Sequence, residues 1–366
     1  MKIGIYTIHA IDNFGAQLQA FATQFYLEKN GYDVEFVNIF PKAEERRIKY
    51  LSSWLSLKGI ISNMIVLLSL SIRKKKRNMS KFHEQLHLSQ RYYSNKDVYA
   101  HPPKYDIHLV GSDQVWNVEK GLDKYNPFFL DYLTPEAKRM SYASSFGRPI
   151  FLEKDAERLR QSLRAFKHLS TREQDGAYLI VKLLNKPCHH VLDPTFLLAS
   201  NDWDSIVDPK PLFKGKYILL YGFTKNEVTK NIIREIKVKI GMPIVALSVS
   251  TRIPYNVDYF FQEAGPREFV NLIKYASIVL TGSFHGMAFS LIYKKNFIII
   301  KTGTRMSRME SMLSQFGIGN RIVDCQSQID TLLREELELD YTKITPLIKK
   351  AVDESRIWLL SAIKNI

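Results

Sequence analysis

Cysteine is nearly missing from this 366-residue chain, with Cys188 and Cys325 its only two. No disulfide framework can therefore hold the fold, and a reducing cytosol is the simplest setting. Acidic residues are outnumbered, 37 against 52 Lys and Arg, which gives a net charge of +15 and a pI near 9.5. That imbalance disfavours cationic partners and attracts phosphorylated metabolites, anionic lipid or nucleic acid over the whole surface. Long apolar runs are absent too. The most membrane-like stretch, "GIISNMIVLLSLSI" from Gly59 to Ile72, is shorter than the ~20 residues a spanning helix needs. The opening "MKIGIYTI" lacks the apolar core and cleavage site of a signal peptide, so the mature protein is expected to start there. There is no Walker loop and no zinc-type ligand spacing: His189 and His190 adjoin Cys188, but neighbours on a strand point to opposite faces. No metal and no resident cofactor are expected, and no helix or aromatic pattern of a nucleic-acid module is present.

What is present is a regular alternation. With 45% hydrophobic and 12% aromatic residues the composition is that of a folded chain, long enough for two domains with separate cores. "KIGIYTI", "NFGAQLQAFATQFYLEKNG" and "YDVEFVNI" read as strand, helix, strand, with Gly31 as the helix stop. Asn13 and Gly15 then lie at a helix N-terminus beyond the first strand, where backbone N–H groups attract anions; ligand contact and a purely conformational glycine both fit. Further strands are predicted at "DIHLVGS", "RMSYASS", "KHLSTRE", "HHVLDP", "YILLYGF", "PIVALSV", "SIVLTGS", "FIIIK" and "RIVD". Strands alternating with helices predict an α/β protein with parallel sheets covered on both faces. The charged, proline-containing Asn201–Lys216 interrupts the series and marks a domain boundary. The expected units are residues 1–205, including a basic amphipathic insertion at 54–80, residues 206–345, and a C-terminal helix at 346–366 packing back on the body. For residues 59–77, where "RKKKR" follows the apolar stretch, two readings stand: a helix at an anionic membrane surface, or one docked on the protein with a solvated basic end.

"TGSFHGMAFSL", Thr281 to Leu291, follows the apolar run "ASIVL". If Ile278–Leu280 is a buried strand and a helix starts at Met287, Gly282–Gly286 is the turn at the strand's carboxyl end, where open α/β sheets bind ligands. The glycines permit unusual dihedrals and close approach, the helix N-terminus offers N–H donors, and His285 stands beside the anion site. An imidazole there can pair with negative charge or move a proton, and it can equally be a capping residue between structural glycines.

"TGSFHGMAFSLIYKKNF" resembles the signature of the polysaccharide pyruvyl transferase family. Other segments agree in order: "NFGAQLQAF", "LVGSDQVWN", "SYASSFG", "STRE", "VLDPTFLL", "GPREFVNLI" and "SRMESML". The resemblance runs from the first strand to about Asp324. It implies a fold similar to the two-Rossmann-domain GT-B glycosyltransferases with the active site in the cleft between domains. It also implies a reaction that moves pyruvate from phosphoenolpyruvate onto two hydroxyls of a sugar as a cyclic ketal.

Under that resemblance His285 takes the family's turn histidine and its general acid/base role. Arg172 in "STRE" is the first choice for the donor's carboxylate or phosphate, since a guanidinium fork meets both bidentately; a surface ion pair with Glu173 is the plainer reading. Arg308, with Lys301 and Arg305 nearby, is the second choice, against a solvated helix face. Ser283 and Gly286 line the same turn. In "GSDQVWN" Asp113 can accept a proton from the sugar hydroxyl, Ser112 sits beside it, and Trp116 can stack on a sugar face; Ser112 and Asp113 fit helix capping equally well. Glu268 next to Pro266 suits a helix's first turn. The sequence departs from better characterised branches, which carry Arg-x-His where this chain has Ser283-Phe284-His285, so either Arg308 or another cation supplies the missing charge or this branch uses a different donor. The expected partners are phosphoenolpyruvate and a sugar or lipid-linked glycan, in the cytosol or peripherally at the inner face of the membrane. A nucleotide-sugar glycosyltransferase and a non-catalytic anion- or membrane-binding relative are the alternatives on the same architecture.

Overall fold

The computed structural model describes residues 1–40, 56–117, 125–147, 153–223, 227–247, 257–301, 306–335 and 337–366. The predicted Arg305 and the first residues of the insertion lie outside them. The chain divides into two compact units. One holds residues 1–63, 83–197 and 350–366, and the other residues 64–82 and 198–349.

The first unit is built on a parallel five-stranded sheet in the order β3-β2-β1-β4-β5. Its strands are β1 (Lys2–Tyr6), β2 (Asp33–Ile39), β3 (Leu88–Tyr92), β4 (Ile107–Val110) and β5 (Arg139–Ser141). The short pair β6 (Ser170–Thr171) and β7 (His189–His190) lies beside it. The second unit carries a parallel six-stranded sheet in the order β10-β9-β8-β11-β12-β13. These strands are β8 (Ile218–Tyr221), β9 (Ile244–Leu247), β10 (Tyr259–Phe261), β11 (Ile278–Thr281), β12 (Asn296–Ile300) and β13 (Ile322–Val323). In each sheet the winding direction reverses beside the first strand, between β1 and β4 and between β8 and β11, and such reversals leave a crevice at the carboxyl ends.

Central strands read as near-continuous apolar runs because both faces are covered: every residue of β4, β8, β9 and β11 is buried. Each fully buried Ile, Leu or Val there contributes about 1.5–3 kcal/mol of transfer free energy. The helix Phe14–Lys29 begins on Asn13, whose side chain accepts the Ala16 N–H at 3.1 Å, and stops at Gly31 with φ +83°. It is buried nearly all round rather than along the single stripe its spacing suggests.

Four expectations are corrected. The strands β3 and β10, at the edges of the two sheets, were not predicted: "LSQRY" has no apolar alternation and "YFF" spans three residues, as edge positions tolerate. The division falls between Leu197 and Leu198, before Asn201–Lys216. That stretch is stitched to the second unit by Trp203, whose ring meets Phe289 at 4.9 Å, and by Asn271, which binds the backbone of Asp208, Lys210 and Leu212. Residues 64–82 belong to the second unit, not the first: Asn78 donates to the Glu263 carbonyl at 2.9 Å and packs on Gly265, where a Cβ would come within 2.8 Å of it. The insertion also forms two helices, Leu57–Leu68 and Leu70–His83, where one was expected.

Candidate active site

In the second unit the turn after β11 meets the turn after β8. Gly222 follows β8 with φ +85°, and a Cβ on it would lie 2.7 Å from Ser283 Cβ and 3.1 Å from Ser283 N. Only glycine permits that approach and that backbone. The Gly282 N–H donates to the Tyr221 carbonyl at 3.2 Å, and the Ser283 N–H donates to Thr281 Oγ1 at 3.1 Å. The Tyr221 hydroxyl is pushed up to about 12 by burial, partly offset by its hydrogen bond with Ser283.

The helix starts at Phe284, three residues earlier than predicted, with Ser283 as its N-cap residue, so His285 and Gly286 lie in its first turn. Gly286 is there for space: a Cβ would sit 2.2 Å from Thr281 Oγ1. The start of a helix, where the first N–H groups have no partner four residues back along it, is an arrangement that favours an anion. His285 is 9% exposed, and its ring stands at 88° to that of Phe284 with centroids 5.4 Å apart. Arg308, in the helix Ser307–Gln315 that follows β12, places its guanidinium 5.9 Å from the centre of the same Phe284 ring, within cation–π range. The structure thus brings His285, Ser283, Gly286 and Arg308 together about Phe284, a residue not singled out from the sequence. Lys301 is exposed at the end of β12.

At the reversal in the first unit the result differs from expectation. Arg172 follows β6 with a fully buried side chain, and its Nη1 lies 2.7 Å from Asp193 Oδ2. Glu173 Oε1 is 3.6 Å from Nε, and Asp113 Oδ1 is 4.0 Å from Nη2. Burial opposes the guanidinium charge, but the carboxylates of Asp193, Glu173 and Asp113 outweigh it and hold its pKa above the ordinary arginine value. Asp193 in turn accepts from Ser112 Oγ at 3.1 Å and from the N–H and hydroxyl of Thr195. Arg172 is therefore the centre of an internal ion network, not the open fork expected. Its pairing with Glu173 is real but interior, and Asp193 is the nearer partner.

Ser112 is buried within that network, and its carbonyl accepts from Thr7 Oγ1 at 2.7 Å. Asp113 adopts φ +73°, an uncommon conformation for a non-glycine residue, and its carboxylate accepts the Gln114 N–H at 2.8 Å while staying 20% exposed. Trp116 is fully buried: its indole N–H donates to the Phe128 carbonyl at 3.1 Å and its ring meets Phe146 and Phe166. The expected stacking of Trp116 on a sugar is overturned by that burial. Asn13 caps its helix, Gly15 is buried in the first turn, and Glu268 accepts the Gly265 N–H at 2.9 Å, closing the helix start as its position suggested. Asp193 and Gly222 were missed. Asp193 lies inside an apolar segment with no local sign of an ionic role, whereas a glycine directly after a buried strand was a legible sign for Gly222. Among the described residues no cluster of three or more His, Cys, Asp or Glu is arranged to hold a metal ion.

Comparison with solved structures finds the same fold at low identity. The UDP-N-acetylglucosamine 2-epimerase from Rickettsia bellii matches with a TM-score of 0.54 and 10% identity, covering 100% of this chain and 96% of that one. The UDP-GlcNAc 2-epimerase from Neisseria meningitidis, solved with UDP-GlcNAc bound, gives 0.52 and 10%, covering 100% of both chains. The enzyme of that name from Methanocaldococcus jannaschii gives 0.52 and 13%, covering 98% of this chain and 100% of that one. At such identities the likeness is one of fold, and it agrees with the two-unit, parallel-sheet, GT-B-like class expected from the sequence. No curated protein matches the sequence at a significant level. The family description polysaccharide pyruvyl transferase matches residues 13–303, a span holding the β8/β11 reversal and the whole turn around His285, and the chain belongs to that family of transferases.

Proposed function

We propose that the protein transfers the pyruvyl group of phosphoenolpyruvate to hydroxyls of a sugar, in a surface polysaccharide or its lipid-linked precursor, as a ketal with release of phosphate. The observation that carries this reading is His285 in the first turn of a helix at the β8/β11 reversal, sharing Phe284 with the guanidinium of Arg308. The helix N–H groups and Arg308 supply the positive field that a phosphate or carboxylate needs. His285 supplies the proton.

In the step so read, the imidazolium delivers a proton to the methylene carbon of the enol phosphate, and the neighbouring carbon becomes electrophilic. One sugar hydroxyl forms a C–O bond there and a second displaces phosphate by breaking the C–O bond to it. Of the two hydroxyl protons released, one restores the imidazolium and so replaces the proton now on the methyl group, and the other leaves with phosphate. Arg308 takes the charge role that Ser283 cannot fill.

The test is incubation of the purified chain with phosphoenolpyruvate and candidate glycans, reading phosphate release together with a pyruvate-sized gain in glycan mass. His285→Ala and Arg308→Ala are expected to abolish both while leaving the melting temperature within a few degrees. Nucleotide release from a nucleotide-sugar, with no use of phosphoenolpyruvate, would move the assignment to a glycosyltransferase. If cells depending on the protein are unaffected by both substitutions, the chain has a non-catalytic role.

A further inference from the structure

The two insertion helices carry a surface that the transferase chemistry does not use. On Leu57–Leu68 the positions Gly59, Asn63 and Val66 are buried, and their spacing puts them on one stripe. The other stripe, Ile61, Met64, Leu67 and Leu68, is just as apolar and is exposed to solvent; with Leu70 these side chains are between 52% and 75% exposed. A folded protein rarely leaves such a contiguous set open without a partner for it. Ser69 is the single residue before the next helix, Leu70–His83, which buries Ile72, Lys75, Met79 and Phe82. Its exposed positions Leu70, Arg73, Lys74, Arg77 and Lys81 recur at three- and four-residue spacing, so a basic stripe follows directly after the apolar one along the chain. Lys74 lies 4.0 Å from Glu263, at the margin of an ion pair.

We infer that this surface docks the protein on an anionic lipid bilayer, with Ile61, Met64, Leu67, Leu68 and Leu70 entering the headgroup boundary and Arg73, Lys74 and Arg77 on lipid phosphates. Both halves of the surface are needed to single out that partner. A nucleic acid matches the cations but gives the apolar stripe nothing to bury. A second copy of the chain matches the apolar stripe but brings the same cations and the same +15 charge against it. An anionic bilayer satisfies both, since apolar side chains bury while phosphates meet the charge. Among the described residues no helix is long and apolar enough to cross a membrane, so the attachment is peripheral. The inference is independent of the pyruvyl reading, and its failure would leave that reading untouched.

The experiment is flotation of the full chain with vesicles of phosphatidylcholine alone and of phosphatidylcholine mixed with phosphatidylglycerol. Binding is expected to the mixed vesicles only, falling about tenfold or more when salt is raised until the Debye length is about 3 Å. Leu67→Ser/Leu68→Ser/Leu70→Ser should remove binding at any salt, and Arg73→Glu/Arg77→Glu should reduce it at least tenfold. All five positions are exposed, so circular dichroism and melting should match the parent and report the fold as intact. Equal binding to neutral vesicles, no binding at low salt, or unchanged binding by the triple variant each overturns the inference. A concentration-dependent dimer in sedimentation velocity that the triple variant abolishes also overturns it and assigns the stripe to a second copy.

Discussion

Replacing Arg172 with methionine separates a structural arginine from a substrate-binding one. The side chains of Arg172 and Asp193 are both fully buried, and that of Glu173 is 5% exposed. Methionine fills the space but leaves two interior carboxylates facing each other's charge without a cation. Breaking a buried pair in this way costs about 3–5 kcal/mol. For a unit of this size each kcal/mol moves the melting temperature by about 2–4 °C, so calorimetry should show a fall of about 6–20 °C. The pH dependence has a definite sign. Without the guanidinium, burial raises the folded-state pKa of Asp193 and Glu173 above their unfolded values of about 4. The folded variant then binds more protons than the unfolded chain, and it loses stability as pH rises through those raised values. The deficit relative to the parent should therefore shrink toward pH 4 and be largest at neutral pH. Adding Asp193→Asn should recover part of the loss, since one stranded charge is gone. A variant that melts within about 2 °C of the parent while its apparent Michaelis constant for phosphoenolpyruvate rises steeply would refute this reasoning and restore Arg172 as the anion fork.

Gly286→Ala should lower activity far more than stability, by forcing Thr281 and the His285 turn apart at a cost of about 1–3 kcal/mol, and Thr281→Ala, which removes Oγ1, should recover part of the rate. Trp116→Phe should lower the melting temperature through loss of the Phe128 bond and of core volume, about 1–3 kcal/mol, and leave the Michaelis constant for the glycan unchanged. In the first unit His9 lies 3.0 Å from His83 with stacked rings, and burial, with His83 second, pushes His9 down to about 3. A folded-state value depressed below the unfolded one means stability present above about pH 6.5 and lost as pH falls toward 3, at up to about 1.4 kcal/mol per pH unit. Denaturant titrations at pH 7, 6 and 5 should show that slope, and His9→Phe should flatten it.

The sequence alone determined the central strands of both sheets. Buried parallel strands must be apolar along their whole length, and so "ILLY", "IVAL", "IVLT" and "FIII" announced themselves without any knowledge of their neighbours. The glycines of the turn after "IVLT", with a histidine between them, marked the candidate site, while the glycine after "ILLY" went unread. Tertiary structure decided which of those turns meet. Nothing local tells that Gly222 lies against Ser283, or that Arg172 finds Ser112 and Asp193, 60 and 21 residues away in the chain. The same holds for Trp116, whose type suits a sugar face or a core equally, and for residues 64–82, which belong to the second unit although the chain reaches them amid the first. Periodicity reports only which groups avoid water. Which partner they find depends on how the sheets are wound, and that is settled by contacts far apart in sequence.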